Sequence, residues 1–391
     1  MKARVKTYVN IRTGSPQILP FNNIDNAYLS PGEIVDIAAT VIGDKYKGND
    51  KWYRLEGGGF VWSGSMVSDT IEMQTVLPTA VVRKLLSPQK FDPIKMSWAF
   101  AGPDGIDLIS FWNEHNLMGQ NVTVAVLDSG INTQVLDVFD AVENKQLDCK
   151  SFIPNESIQD DLGHGTNCAS IIASRGGNLF GVSPACKLVV AKIESKSVGK
   201  ASAITLAALK WACEERNADI ISLSFSFPSI SDAPGTPEEK AVADYILKMH
   251  NEKNKLFVAS IGNLGQNAID FNAFPANYPG CISIGAFGAG KKIWNGSSWN
   301  KKLSFVVPGV DLKGYGLTGT VDNLQPATSY ACPFAAGILA NLIGHFKTNH
   351  QPFKASEFIN KLVFDIAPED APLKYGKGII NPIESFKNLM Q

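Results

Sequence analysis

The sequence predicts an α/β protein: a doubly wound, mostly parallel sheet with helices on both faces, preceded by a small all-β barrel. Two observations carry this. From about Gly102 onward, apolar runs of strand length alternate with longer helical stretches, the pattern of consecutive β–α–β units. Ahead of that, in residues 1–67, short β-type runs recur between turn clusters. At 391 residues the chain is long enough for two domains.

The β-type runs of the first part are residues 6–11, 33–41, 52–55 and 59–62. Turn clusters such as Thr13-Gly14-Ser15-Pro16 and Gly57-Gly58-Gly59 separate them. Residues 68–100 form a connector, interrupted by Pro78, Pro88 and Pro93, in which TAVVRKLL (79–86) has the pattern of a short amphipathic helix. The larger domain, 101–391, then alternates regularly. NVTVAVLDSG is a buried strand, GTNCASIIAS a helix, CKLVVAKI a strand and ASAITLAALKWACEE a helix. ADIISLSF and KLFVASIGN are strands again. QPATSYACPFAAG (325–337) opens an apolar run that reads as a buried helix, with Pro333 expected in its first turn, where a missing N–H costs little.

Composition narrows the function. The hydrophobic content of 45% and charged content of 19% are those of a globular chain. A formal net charge of −1 leaves no electrostatic footprint for nucleic acid or an anionic membrane, so neither is expected as a partner. No apolar stretch approaches the roughly 20 residues of a membrane span. The six cysteines are scattered, without CxxC pairs or His/Cys ligand spacing. MKARVKTYVN at the start has no apolar core of a secretory signal, so reduced thiols and a cytoplasmic location are the expectation.

Ligands in doubly wound sheets sit beyond the carboxyl ends of the strands, so the residues just after apolar runs are the candidates for chemistry. Asp128 ends the strand VTVAVLD, where an acid can also simply cap a turn. His164 lies in DDLGHGTNCAS between two glycines; an ordinary helix-start histidine is the alternative. Ser329 stands where Ser or Thr most often caps a helix. Together the three are an acid, a base and a nucleophile in the chain order Asp…His…Ser, one of the known orders of the serine-hydrolase triad. Asp160 and Asp161 are rival acids close to His164, with local turn or solvent roles as the expectation.

With these residues on the page, residues 102–391 resemble the subtilisin-like serine peptidases (subtilases). VAVLDSGI, GHGTNCA and ATSYACPFAAG match the family's Asp, His and Ser segments in order. FGVSPACKL, FPANYPGCISIGA, FVVPGVDL and YGKGIINP match further landmarks. The resemblance implies an endopeptidase acting on protein or peptide substrate. Asp128, His164 and Ser329 would form the triad, and Asn263 would donate to the oxyanion, with Gly262 allowing close packing. Ser224, Phe225 and Ser226 would line the peptide cleft, with a partner strand near 197–200. Leu264 and Ala273, both uncharged, would border a pocket for a medium-sized apolar or aromatic residue on the acyl side of the cut bond. Ser226 replaces a frequent glycine and narrows that wall. No cofactor is implied, and ASRGGNLFGVSP, a shortened loop without carboxylates, argues against a metal there.

YVNIRTGSP, KGNDKWYRL and GGGFVWSGSMV resemble a bacterial SH3 (SH3b) domain, with an unknown ligand. Tyr8, Trp52, Tyr53 and Trp62 would be core or line a shallow groove. Residues 68–100 are shorter than a folding propeptide and serve as a linker or brief inhibitory segment. One departure bears on activity. Ala327 stands where the family almost always has glycine: its Cβ would narrow the leaving-group side of the cleft, or strain the backbone if that position needs φ > 0, and it motivates the alternative of a silent subtilase–SH3b scaffold. The remaining alternative is an extracellular protease addressed to the cell wall by the SH3b domain.

Overall fold

The computed structural model describes residues 98–391, apart from 103, 140–146, 177–178, 230–233, 266–271 and 366–371. Ahead of these it describes residues 2–5, 9–12, 23–29, 34–46, 49–56, 58–63 and 66–69. Tyr8, the Thr13–Pro16 turn and the helix expected over 79–86 lie outside the described residues. The chain divides into two compact units, residues 1–90 with 134–145 and residues 91–133 with 146–391.

The smaller unit contains a seven-stranded antiparallel sheet. Its strands are β1 (Lys2–Val5), β2 (Val9–Arg12), β3 (Asn23–Leu29), β4 (Ile34–Tyr46), β5 (Asn49–Leu55), β6 (Phe60–Trp62) and β7 (Met66–Asp69). Their order is β3-β2-β6-β5-β4-β1-β7. β4 is long for a strand, and its pairing with β5 shifts register twice, the irregularity that lets a long strand bend. Ala3, Leu29, Ile37, Leu55, Val61 and Met66 form one apolar core. Trp52 is buried, and the Trp62 indole donates to the Asn49 carbonyl. β1, β3 and β7 go beyond the runs read from the sequence: each owes its place to pairing across the sheet.

The larger unit is an α/β fold with a mixed, mostly parallel sheet. Its principal strands are β8 (Thr123–Asp128), β9 (Leu147–Ser151), β10 (Lys187–Lys192), β11 (Ile220–Leu223), β12 (Leu256–Ser260), β13 (Cys281–Gly288), β14 (Phe305–Pro308), β15 (Phe364–Asp365) and β16 (Ile379–Ile380). They run in the order β15-β16-β14-β13-β12-β11-β8-β10-β9, and every neighbouring pair is parallel except β15 with β16. Strands β8, β11 and β12 are buried along almost their whole length, as strands covered on both faces must be. From β8 the chain runs out to β9, returns to β10 beside β8, then crosses to β11 on the other side. The switch point therefore falls beside β8, where such sheets open a crevice.

Helices cover the two faces. Those that position the site are α1 (His164–Ala173) and α2 (Thr328–Thr348). Residues 331–344 of α2 are buried all round, so this helix forms the middle of the core rather than a surface face. Pro333 is its sixth residue, one turn later than the sequence suggested. There its ring removes the amide that would bond to the Ser329 carbonyl. The Cys168 thiol, 3.5 Å away, donates to that carbonyl instead. Among the described residues no helix is long and apolar enough to cross a membrane.

Candidate active site

Asp128 is the last residue of β8 and is fully buried. Its register partner across the ladder is Lys192, the last residue of β10. The Asp128 carbonyl accepts from the Ile193 amide at 2.8 Å, which carries the ladder one residue further. One carboxylate oxygen, Oδ1, accepts from the Ser129 amide at 2.8 Å and lies 2.8 Å from His164 Nδ1. The other, Oδ2, is buried and has no hydrogen-bond partner among the described residues.

His164 is the first residue of α1, and the start of that helix is held from outside it. A helix leaves its first amides unpaired, and here neighbouring side chains take them. Ser129 Oγ accepts from the Gly165 amide at 2.9 Å. Asp160 Oδ2 accepts from the Thr166 amide at 2.9 Å, and Oδ1 accepts from Gly163 at 2.8 Å. Ser129 Oγ in turn donates to Asp160 at 2.8 Å. The loop after β8 and the start of α1 are thus one hydrogen-bonded body. Gly165 is required for this approach, because a Cβ there would run into the Gly130 carbonyl oxygen. Asp160 is spent on the helix start. Asp161 accepts from the Lys196 amide and lies near Lys192. Neither is the acid beside His164.

Charge follows from this packing. Burial works against ionising both groups, yet each stabilises the other's charge. The imidazole holds the Asp128 carboxyl below the usual carboxylate range, with help from Lys200 and the Ser129 amide. Asp128 in turn raises the His164 pKa well above that of a free imidazole, overcoming the burial that opposes it. Cys168, one turn further along α1, has its sulfur 3.9 Å from His164 Nδ1. Burial pushes its thiol pKa up. The donor atoms of Asp128, His164 and Cys168 all lie within 4.8 Å of one another.

Ser329 is the second residue of α2, not its cap. The cap is Ala327, whose side chain has nothing to donate or accept. Asn263, from the loop after β12, takes over: its Oδ1 accepts from the Thr328 amide at 2.9 Å and from the Thr328 hydroxyl at 2.7 Å. With Oδ1 occupied, Nδ2 is the atom left to donate. Ser329 Oγ makes no hydrogen bond among the described residues and is open to a substrate. Ala327 has φ −161°, extended backbone that any residue adopts, so the strain expected if this position needed a glycine is absent.

His164, Ser329 and Asn263 face one cavity of about 280 Å³ at the carboxyl ends of β8, β10, β11 and β12. Ser224, Phe225, Ser226 and Gly262 line it too. Gly262 has φ +107°, and a Cβ on it would stand 3.1 Å from Ser226 Oγ, so the Ser226 hydroxyl closes in on the opposite wall. Leu264 and Ala273 are not among the lining residues. Leu264 is exposed, with its amide bonded to Ser298 Oγ at 2.9 Å. Ala273 is buried on a short strand, Asn272–Phe274, that pairs with Phe227–Ser229. The segment 197–200 begins inside a turn, in which the Ser195 amide donates to the Val198 carbonyl at 2.8 Å, and is not itself a strand.

Sequence reasoning passed over Thr328 and Glu194, both of which line the cavity, and Lys200, at the end of the 197–200 segment, lines it as well. Glu194 stands just past β10, where the strand-end rule applies. Thr328 is half of the Thr-Ser pair and looks like a cap by composition. All six cysteines are free thiols, four of them buried.

Comparison with known proteins points one way. The subtilase family (peptidase S8) matches residues 119–374. Subtilisin amylosacchariticus of Bacillus subtilis subsp. amylosacchariticus is 30% identical over 298 residues, 74% of this chain and 72% of that protein. Subtilisin Savinase of Lederbergia lenta is 29% identical over 71% of this chain and 96% of its own length. Among solved structures, the prenylagaramide maturation protease PagA superposes with a TM-score of 0.59 at 24% identity, covering 72% of this chain and 98% of that one.

Proposed function

The chain belongs to the subtilase family and is a serine peptidase of the subtilisin type; from that premise we propose that it is an endopeptidase working through Ser329, His164 and Asp128. Ser329 Oγ attacks the scissile carbonyl as His164 takes its proton, since a serine hydroxyl is a weak nucleophile without a base in reach. Asp128 holds Nδ1 as the protonated nitrogen, leaving Nε2 as the base, and stabilises the imidazolium that forms. Asn263 Nδ2 and the amides at the start of α2 stabilise the developing oxyanion, aided by the helix dipole. His164 then gives its proton to the leaving amine, and water repeats the sequence on the acyl-enzyme. The substrate is protein or peptide held extended along Ser224–Ser226. A medium-sized apolar residue on the acyl side suits the uncharged walls of Ser224–Ser226 and Gly262. The observation that carries this reading is the 2.8 Å contact of buried Asp128 with Nδ1 of His164, which lines one cavity with Ser329 and Asn263.

A fluorophosphonate probe tests it. Mass spectrometry should find the label on Ser329, and Ser329→Ala should lose both labelling and peptide hydrolysis. In subtilisin, loss of the serine costs about 2 × 10⁶ in kcat, which sets the scale. Folded protein that stays unlabelled would return the reading to a silent scaffold. The antiparallel sheet of the smaller unit we propose to be an SH3b-type recognition module that contributes nothing to the chemical step.

A further inference from the structure

We infer that Glu194 reads a basic side chain on the substrate residue next to the one whose carbonyl is cut, on the acyl side. The inference rests on the peptidase reading above and deepens it. Glu194 is the second residue past β10, next to Ile193, whose amide is pinned to the Asp128 carbonyl at 2.8 Å. Its place beside Asp128 and His164 is therefore set by the sheet rather than by a loose loop. Its side chain is 13% exposed and ion-paired with Lys200, itself 17% exposed, and both line the cavity. Lys200 also lies over the Phe225 ring, 5.4 Å from its centroid.

A half-buried ion pair in a substrate cleft is costly to keep unless something uses it. Geometry says which residue would. In an extended peptide successive side chains point to opposite sides. The residue whose carbonyl meets Ser329 and Asn263 turns its side chain toward the walls Ser224–Ser226 and Gly262. Its neighbour then turns the other way, toward His164 and Glu194.

Charge says what kind of residue it is. When His164 is neutral and ready to accept a proton, Asp128 and Glu194 share one nearby ammonium among the described residues, that of Lys200. Lys192, two residues earlier in the chain, is likewise shared between two carboxylates, Glu156 and Asp161, at 3.1 and 3.5 Å. Burial and the Asp128 charge already raise the Glu194 pKa, so a second cation there meets an acid short of compensation. A substrate lysine or arginine pairs with Glu194 and releases Lys200 toward solvent. An acidic side chain meets two carboxylates instead.

The test is a binding measurement that needs no turnover. Full-length Ser329→Ala protein is titrated with three fluorescent peptides identical except for Lys, Gln or Glu at that position. The Lys peptide should bind more tightly than the Gln peptide by several-fold to about tenfold, with the Glu peptide weakest and the gap shrinking as salt is added. Glu194→Gln in the same background should abolish the preference for Lys. Lys200→Met, which removes the competing cation, should enlarge it. Equal binding of the Lys and Gln peptides, or preference for Glu, overturns the inference, as does a Lys200→Met protein whose preference does not grow. A parent protein that neither labels at Ser329 nor cuts peptides, while its Ser329→Ala form keeps the Lys preference, would overturn the peptidase chemistry and leave this subsite standing.

Discussion

Asp128 and His164 each hold the other in its charged form, and that has a pH consequence. The His164 pKa is raised, so the neutral base needed for attack appears only at pH above the ordinary imidazole value of about 6.5. The rising limb of kcat/KM should therefore inflect above 6.5. Asp128→Asn should move that inflection downward as well as depress the rate, since it removes the charge that favours the imidazolium. A limb inflecting below 6.5 in the parent protein would contradict the coupling. The signs for stability differ between the partners: the His164 contribution is present below the unfolded imidazole pKa and lost as pH rises through the folded one, whereas the Asp128 contribution is lost as pH falls through its lowered carboxyl pKa. Cys168 gives a second test at this scale. Its sulfur lies 3.9 Å from His164 Nδ1 and is fully buried, so a mercurial that reaches it must push the imidazole aside. Slow inhibition by an organomercurial is expected. Cys168→Ala should stay active and resist it, whereas equal sensitivity in the variant would point to another thiol, such as Cys332.

At the scale of elements, both helices of the site begin without a side-chain cap of their own, and both borrow one. Asp160 and Ser129 close the start of α1, and Asn263 closes the start of α2. The arrangement frees Ser329 from the capping role that its residue type would otherwise take. It also ties helix placement to the loops after β8 and β12, so each catalytic side chain is fixed by a strand end and a helix end together. The narrow gap between Ser226 and Gly262 belongs to the same scale. A peptide library should show medium-sized apolar residues at the position whose carbonyl is cut. Ser226→Gly, by removing the hydroxyl that faces Gly262, should shift that profile several-fold toward larger aromatic residues. A parent profile dominated by Arg, Lys, Asp or Glu at that position would show that other groups build the pocket.

For the whole molecule, every residue proposed for catalysis lies between Asp128 and Ser329, in the larger unit. That unit has its own extensive core, from Leu108 to Leu389, as an independently folding domain requires. Removing residues 1–67 should leave kcat on a short peptide within a few-fold. It should change which large substrates are cut, because a tethered recognition module raises effective concentration without touching the chemical step. A truncated protein that folds yet cannot hydrolyse a short peptide would make the smaller unit part of the active site or its switch.

The division between sequence and tertiary structure follows from what each kind of information can encode. Alternation of buried strands with helices, and the acid, base and serine just past apolar runs, were legible in the chain, because burial and strand-end position leave local signatures. Short strands such as β1, β3 and β7 left weak ones, since their partners are distant in sequence. Composition offered Ser329 as a cap, and only the packing of Asn263 against Thr328 decided otherwise. It likewise left Ala327 open to strain until the backbone proved extended there. Asp160 and Asp161 stood nearer His164 in sequence than Asp128 did. The fold set Asp128 against the imidazole and turned the other two away. Glu194 and Lys200 were invisible as a pair because nothing local marks two residues as facing one cavity. By itself the sequence determined the elements and the chemical types at their ends. Which of those types meet was decided by the sheet, because strand order and register bring together residues far apart in the chain.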